Sequence, residues 1–277
     1  MSAHNLSLTF NTVVKVAVSW TNFDSELHGI PVDWTDQGIV LHTRPHGETS
    51  AVLEVLTGAH GRHLGLVRGA TSRRMRGSLQ PGNTLQVTWR ARLADHLGAF
   101  AVEPATERTA LVLGDRRALV GLTAAIAVAS AALPEREPHP RLFDGLTILL
   151  DALDEAGTWP ALLARWELRL LEDLGFGLDL SACAVTGTTE GLAYVSPRTG
   201  RAVTAAAAGD YRDRLLPLPA FLAGSDRSPT AAEVAAALRL TGFFMEARIF
   251  RPAGSGLPAA RVRLAEVLQG AGGTAQP

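Results

Sequence analysis

Arg68, Arg73, Arg74 and Arg76 fall within nine residues, in the stretch Arg68-Gly69-Ala70-Thr71-Ser72-Arg73-Arg74-Met75-Arg76-Gly77. A guanidinium is planar, permanently charged and shaped to pair with phosphate oxygens or to stack on a base. Four so close together are poorly explained by folding alone. Arg62, Arg90 and Arg92 lie on or beside neighbouring apolar runs and extend the set. From Ile39 to Leu93 there are eight arginines against Glu48 and Glu54, in a chain whose net charge is -1. A basic segment on an otherwise acidic protein is the footprint expected of a polyanion-binding surface.

Other chemistry is weakly represented. His42, His46, His60 and His63 share the basic region, but no HExxH or carboxylate pattern accompanies them, and they read as polar surface histidines whose protonation adds positive charge in mild acid. Cys183 is the single cysteine, so there is no intramolecular disulfide and no set of thiolates for structural zinc. It reads as a small buried residue, and one cysteine in the chain suits a reducing cytoplasm. Lys15 is the only lysine, which excludes a Walker loop beyond it, and neither a GxSxG elbow nor a GxGxxG between strand and helix is present. Asp151, Asp154 and Glu155, like Glu167, Glu172 and Asp173, read as solvated helix faces, and Trp159, Trp166, Phe243 and Phe244 as core. No catalytic residue, metal or cofactor is expected. The apolar stretch Ala118–Leu133, 16 residues without a charge, is too short to span a bilayer.

The elements that must position the arginines are strands first and helices after. Gly38–Arg44, Ser50–Thr57, Gly61–Arg68, Thr84–Ala91 and Ala99–Glu103 are branched, apolar or alternating, with Pro81-Gly82-Asn83 as a turn. Five short strands suggest a small closed barrel of the OB-fold kind. From Asp115 the period becomes helical: Asp115–Leu133, Pro140–Ala156, Pro160–Leu174, then a helix from Pro229, capped by Ser228, to about Ile249. Phe176–Val203 reads as irregular. The fold class is therefore α+β, with a barrel over residues 32–108, a mainly helical part over 109–250 and a flexible tail over 251–277. Residues 1–31 hold the lone lysine and three of the four asparagines. They read as a mis-annotated start, with Val32 translated from a GTG codon, or as a disordered extension.

Three passages resemble the RecO family of recombination mediators: Trp34-Thr35-Asp36-Gln37-Gly38-Ile39-Val40-Leu41, His46-Gly47-Glu48, and Gly61-Arg62-His63-Leu64-Gly65-Leu66-Val67-Arg68-Gly69-Ala70. Leu79-Gln80-Pro81-Gly82, Trp166-Glu167-Leu168-Arg169-Leu170-Leu171-Glu172-Asp173-Leu174-Gly175, Tyr194-Val195-Ser196-Pro197 and Gly200-Arg201-Ala202-Val203 are similar as well. The resemblance implies a protein of DNA repair and the RecF pathway, cytoplasmic and nucleoid-associated. It implies binding of single- and double-stranded DNA, strand annealing, and partnership with RecR, with the acidic tail of the single-stranded-DNA-binding protein and, indirectly, with RecA. Arg165 and Arg169 are candidates for that tail by charge alone. The chain departs from zinc-binding members of the family: Cys183 stands where a CxxC would begin, but Thr186 occupies its second position, leaving a degenerate, cysteine-poor finger. An OB-fold RNA-binding or ribosome-associated factor is the alternative that the same residues allow, and a hydrolase using the helical carboxylates is a third.

Overall fold

The computed structural model describes residues 32–270. Five strands, β1 (Val32–His46), β2 (Ser50–Thr57), β3 (Gly61–Val67), β4 (Thr84–Ala91) and β5 (Ala99–Thr106), close into a barrel in the order β1-β2-β3-β5-β4. A short helix, α1 (Arg73–Ser78), connects β3 to β4. The first strand is longer than its apolar core suggests. Val32–Ile39 pair with β4 and Gly38–His46 with β2, with a bulge between Val40 and His42 where the strand passes from one neighbour to the other. A bulge bends a strand and raises its twist, which lets one strand serve both sides of a small barrel.

Val40, Leu53, Val55, Leu85, Val87, Trp89 and Phe100 fill the barrel interior. Gly65 admits the Phe100 ring, since a Cβ there would lie 2.5 Å from Phe100 Cδ2. Ile39, Leu41 and Leu56 belong to a second core that they share with the helices. Ile39-Val40-Leu41 is thus apolar without alternation because both faces of β1 are covered.

The helical part comprises α2 (Thr109–Val112), α3 (Arg116–Ala132), α4 (Pro140–Asp151), α5 (Trp159–Asp173), α6 (Ala205–Ala208), α7 (Ala231–Met245) and α8 (Ala259–Gly270). Phe176–Val203 is not wholly irregular: β6 (Leu192–Val195) and β7 (Ala202–Thr204) form a small sheet with β8 (Leu216–Pro217), in the order β7-β6-β8. Asp115 caps α3, accepting from the N–H groups of Arg117 and Ala118. The cap of α7 is Thr230 rather than Ser228, because Glu233 completes a reciprocal capping box with it.

The tail from residue 251 is not uniformly flexible, since α8 packs with Leu264 fully buried and Arg261 paired to Glu167. Its three-to-four residue spacing is masked by the glycines, prolines and alanines around it. Glu167 therefore does not lie on a solvated face. Trp159, Trp166 and Phe244 are core, whereas Phe243 is exposed. The reading of residues 1–31 lies outside the described residues, as does residues 271–277 of the tail. Among the described residues no helix is long and apolar enough to cross a membrane.

Candidate nucleic-acid interface

The strand register sorts the nominated arginines. Val67, at the end of β3, pairs with Ala51, and Ser50 pairs with His46 across the turn between β1 and β2. Arg68 therefore leaves β3 at that end of the barrel. There α1 lies over β1: Thr43 Oγ1 donates to the Leu79 carbonyl at 2.9 Å, and a cleft of about 300 Å³ is lined by His42, Pro45, Ser50, Thr71 and Arg76 together. Arg73, Arg74 and Arg76 are carried on α1, a helix rather than an open loop, whose amino terminus Ser72 caps by accepting from the Met75 N–H at 3.3 Å. Met75 turns inward against the barrel core.

Arg68, Arg73, Arg74 and Arg76 are exposed, and among the described residues none of them forms an ion pair. Arg44 shares their situation, at the end of β1 opposite Val52. Nothing local in the sequence marks it. Only the pairing of β1 with β2 carries it to the end where α1 lies.

Arg62, Arg90 and Arg92 lie toward the opposite end, where Gly61 pairs with Thr57 and Ala91 with Val32. Arg62 is occupied. Its Nη1 meets Glu54 Oε1 at 2.6 Å and its Nε donates to the Leu133 carbonyl at 2.8 Å, while Ser130 donates to Glu54 at 3.1 Å. This network joins the barrel to α3 and commits the Nε and Nη1 of Arg62 to it. Arg90 stands 3.9 Å from Asp33, with both side chains exposed. Arg92 is exposed at the start of the β4–β5 loop. The structure thus does not bring the seven together: four cluster at one end, two stand at the other, and one is a strut between the barrel and the helices.

His63 is not a surface histidine. It is buried among Trp34, Trp89 and Phe100, and neither ring nitrogen has a partner. Burial, then the nearby charge of Arg136 and then of His60, lowers its pKa to about 4. His60 stacks on Trp34, with centroids 4.0 Å apart and its Nδ1 3.4 Å from Asp36. His42 and His46 are exposed at the arginine-rich end.

Around Cys183 the donors do not suit zinc. The Thr186 hydroxyl is the strongest influence on the sulfur. With the backbone N–H groups of Thr186, Thr204 and Val185 it draws the thiol pKa down to about 6, against burial, which raises it. One thiol surrounded by hydroxyls and N–H donors is not a tetrahedral ligand set. Among the described residues no group of three or more His, Cys, Asp or Glu side chains is placed to hold a metal.

A second cleft, of about 330 Å³, lies in the helical part and is lined by Arg165, Leu168, Arg169, Phe221 and Leu222 together with the carboxylates Glu172 and Asp226. The Arg165 guanidinium lies 5.4 Å from the centre of the Phe221 ring. Arg169 is held at 3.1 Å by both Glu172 and Asp173.

A closed barrel in this strand order, with a helix between its third and fourth strands and helices packed on its outer wall, defines an OB-fold protein with an appended helical domain. Residues 32–106 match the family model described as Recombination protein O N terminal, and residues 113–256 that of Recombination protein O C terminal. The chain is 52% identical over 238 residues to the DNA repair protein RecO of Ruegeria sp., an alignment covering 86% of this chain and 98% of the relative. It is 54% identical over 239 residues to that of Cereibacter sphaeroides, covering 86% and 99%. The corresponding protein of Chelativorans sp. is 52% identical over 231 residues, covering 83% and 93%. The chain belongs to the RecO family of DNA repair proteins.

Proposed function

We propose that this chain is a recombination mediator of the RecF pathway that binds single- and double-stranded DNA, promotes annealing of complementary strands and, with RecR, helps to load RecA. The observation that carries this reading is the set of exposed arginines, Arg44, Arg68, Arg73, Arg74 and Arg76, at one end of the barrel, which form no ion pair among the described residues. Guanidiniums there neutralise phosphates and lower the repulsion between two strands, so that pairing proceeds without a covalent step or a nucleotide cofactor. Among the described residues no Phe, Tyr or Trp lines the cleft beneath α1, which favours backbone contacts over base readout. Arg90 and Arg92, toward the other end of the barrel, offer a second set of contacts to duplex DNA, and Arg62 holds the barrel on α3. The setting is the nucleoid in the cytoplasm.

The cleft around Arg165 suits the acidic tail of the single-stranded-DNA-binding protein. Among the described residues Arg165 forms no ion pair and offers a charge beside the apolar Leu168, Phe221 and Leu222, whereas Arg169 is engaged by Glu172 and Asp173, and Asp226 lines the same cleft. Competition between single-stranded DNA and RNA of one sequence tests the main reading. Preference for DNA together with accelerated annealing is the expected result, and preference for RNA without annealing overturns it in favour of an RNA-binding factor. A pull-down with the single-stranded-DNA-binding protein, with and without its tail, tests the second cleft, and Arg165→Glu is expected to abolish capture.

A further inference from the structure

A strip of α3 between the barrel and α8 stays open to solvent at Thr123 and is half-buried at Leu119 and Ser130, with the buried Leu122 and Ile126 beside it. Leu119, Leu122, Thr123, Ile126 and Ser130, at three and four residue spacing, line a groove of about 550 Å³ whose opposite wall is Leu41, Gln80 and Pro81. Leu113, 66% exposed, forms part of its rim. The groove does not stop there. It shares His42, Gln80 and Pro81 with the cleft of about 300 Å³ that ends at Arg76, and it shares Leu119 and Thr123 with one of about 370 Å³ lined by Arg116 and Arg263. The three adjoin through these shared residues, the cleft along α3 mainly aliphatic and each of the other two carrying a guanidinium, and together they are read as one channel. No carboxylate lines any part of it, and Arg76, Arg116 and Arg263 form no ion pair among the described residues.

We infer that this channel is a docking site for an extended segment of a partner protein, aliphatic in its middle and acidic toward both ends. The charge arrangement selects the occupant. A nucleic-acid strand presents a phosphate at every nucleotide and planar bases that seek stacking partners. Among the described residues the middle of this channel offers no charged side chain apart from His42 when protonated, and the one aromatic ring lining it is that of His42. Aliphatic side chains fill such a wall, and carboxylates meet the arginines at its ends. Length follows from geometry. Arg116 to Ser130 spans about 21 Å of helix, which an extended chain covers in about six residues, and the cleft beneath α1 adds two or three more. The site is separate from the exposed guanidiniums of Arg68, Arg73 and Arg74, so a partner segment and DNA can be held at once and share only Arg76.

Selection from a displayed library of random peptides of about nine residues tests the site, with full-length protein as bait and the Thr123→Glu variant as counter-bait. Thr123 is exposed and sits mid-channel, so the added carboxylate blocks the groove while leaving the core untouched. Enriched peptides are expected to carry aliphatic residues flanked by Asp or Glu. Their affinity is expected to fall at least about tenfold with Thr123→Glu and again with Arg263→Glu, while binding of oligothymidylate and the melting temperature stay unchanged. Failure to enrich any peptide over the counter-bait overturns the inference, as does enrichment of basic peptides. Loss of oligothymidylate binding in both variants also overturns it, by making the channel a path for nucleic acid, and that outcome leaves the DNA-binding reading standing.

Discussion

Arg261 of α8 and Glu167 of α5 form an ion pair that is closed to solvent, at 1% and 0% exposure. Arg261 Nη2 meets Glu167 Oε2 at 2.8 Å and also donates to the Leu238 carbonyl at 2.8 Å, while Thr241 donates to Oε2 at 2.5 Å. Three helices distant in sequence thereby meet on one carboxylate. Arg261→Ala strands a buried charge and is expected to cost about 3–5 kcal/mol. Replacing both partners, with Glu167→Leu and Arg261→Met, is expected to cost markedly less, since no unpaired charge remains. Urea melts of the two variants beside wild type check this, and a single substitution as mild as the double one would contradict the assignment.

The arginines of α1 are expected to act through phosphates. Changing Arg73, Arg74 and Arg76 together to Ala weakens single-stranded DNA binding equally for all sequences. It also flattens the slope of log affinity against log salt by roughly 0.7 per lost contact, so about two units if all three engage. Alanine has high helix propensity and these side chains make no ion pair, so the melting temperature holds. An unchanged slope in the folded triple variant moves the site to Arg44 and Arg68.

His63 makes stability depend on pH. Its folded pKa, about 4, lies below the ordinary 6.5, so the unfolded chain takes up a proton that the folded chain refuses. The stability it allows is full above pH 6.5, declines as the pH falls from 6.5 to about 4, and levels off below. The decline amounts to at most about 3 kcal/mol. Denaturant titrations at intervals across that range are expected to show it in wild type and to show a flatter profile in His63→Phe. Identical slopes in the two proteins would place the pH dependence elsewhere.

Purified protein is expected to hold much less than one zinc per chain, and chelator is expected to leave its melting temperature unchanged, because Cys183 is met by hydroxyls and N–H donors rather than by further thiolates. Stoichiometric zinc that survives chelation would contradict this.

The barrel and the first helices are legible in the sequence because their periodicities are local: Leu85, Val87 and Trp89 alternate within eight residues, and Asp115 announces α3. What escapes is decided by distant partners. Nothing near Arg62 in the chain distinguishes it from Arg68, yet Glu54 and Leu133 make one a strut while the other faces solvent. Glu167 looks like its neighbour Glu172 until α8, 94 residues on, delivers Arg261 against it. His63 shares a polar neighbourhood with His60, but strand alternation turns it to the interior. Arg44 joins the basic end only through the register of β1 with β2.

The double duty of β1 sets a limit on dissecting the molecule. Cut free after Thr106, the barrel would keep its interior but bare Ile39, Leu41 and Leu56 to water, together with the half-buried Glu54–Arg62 pair that no longer meets Ser130. Such a stripe of apolar side chains beside open strand surface invites self-association. A truncated barrel is therefore suited to neither solution binding assays nor crystallisation unless those three positions are made polar, and DNA-binding measurements belong to the chain with its helices attached.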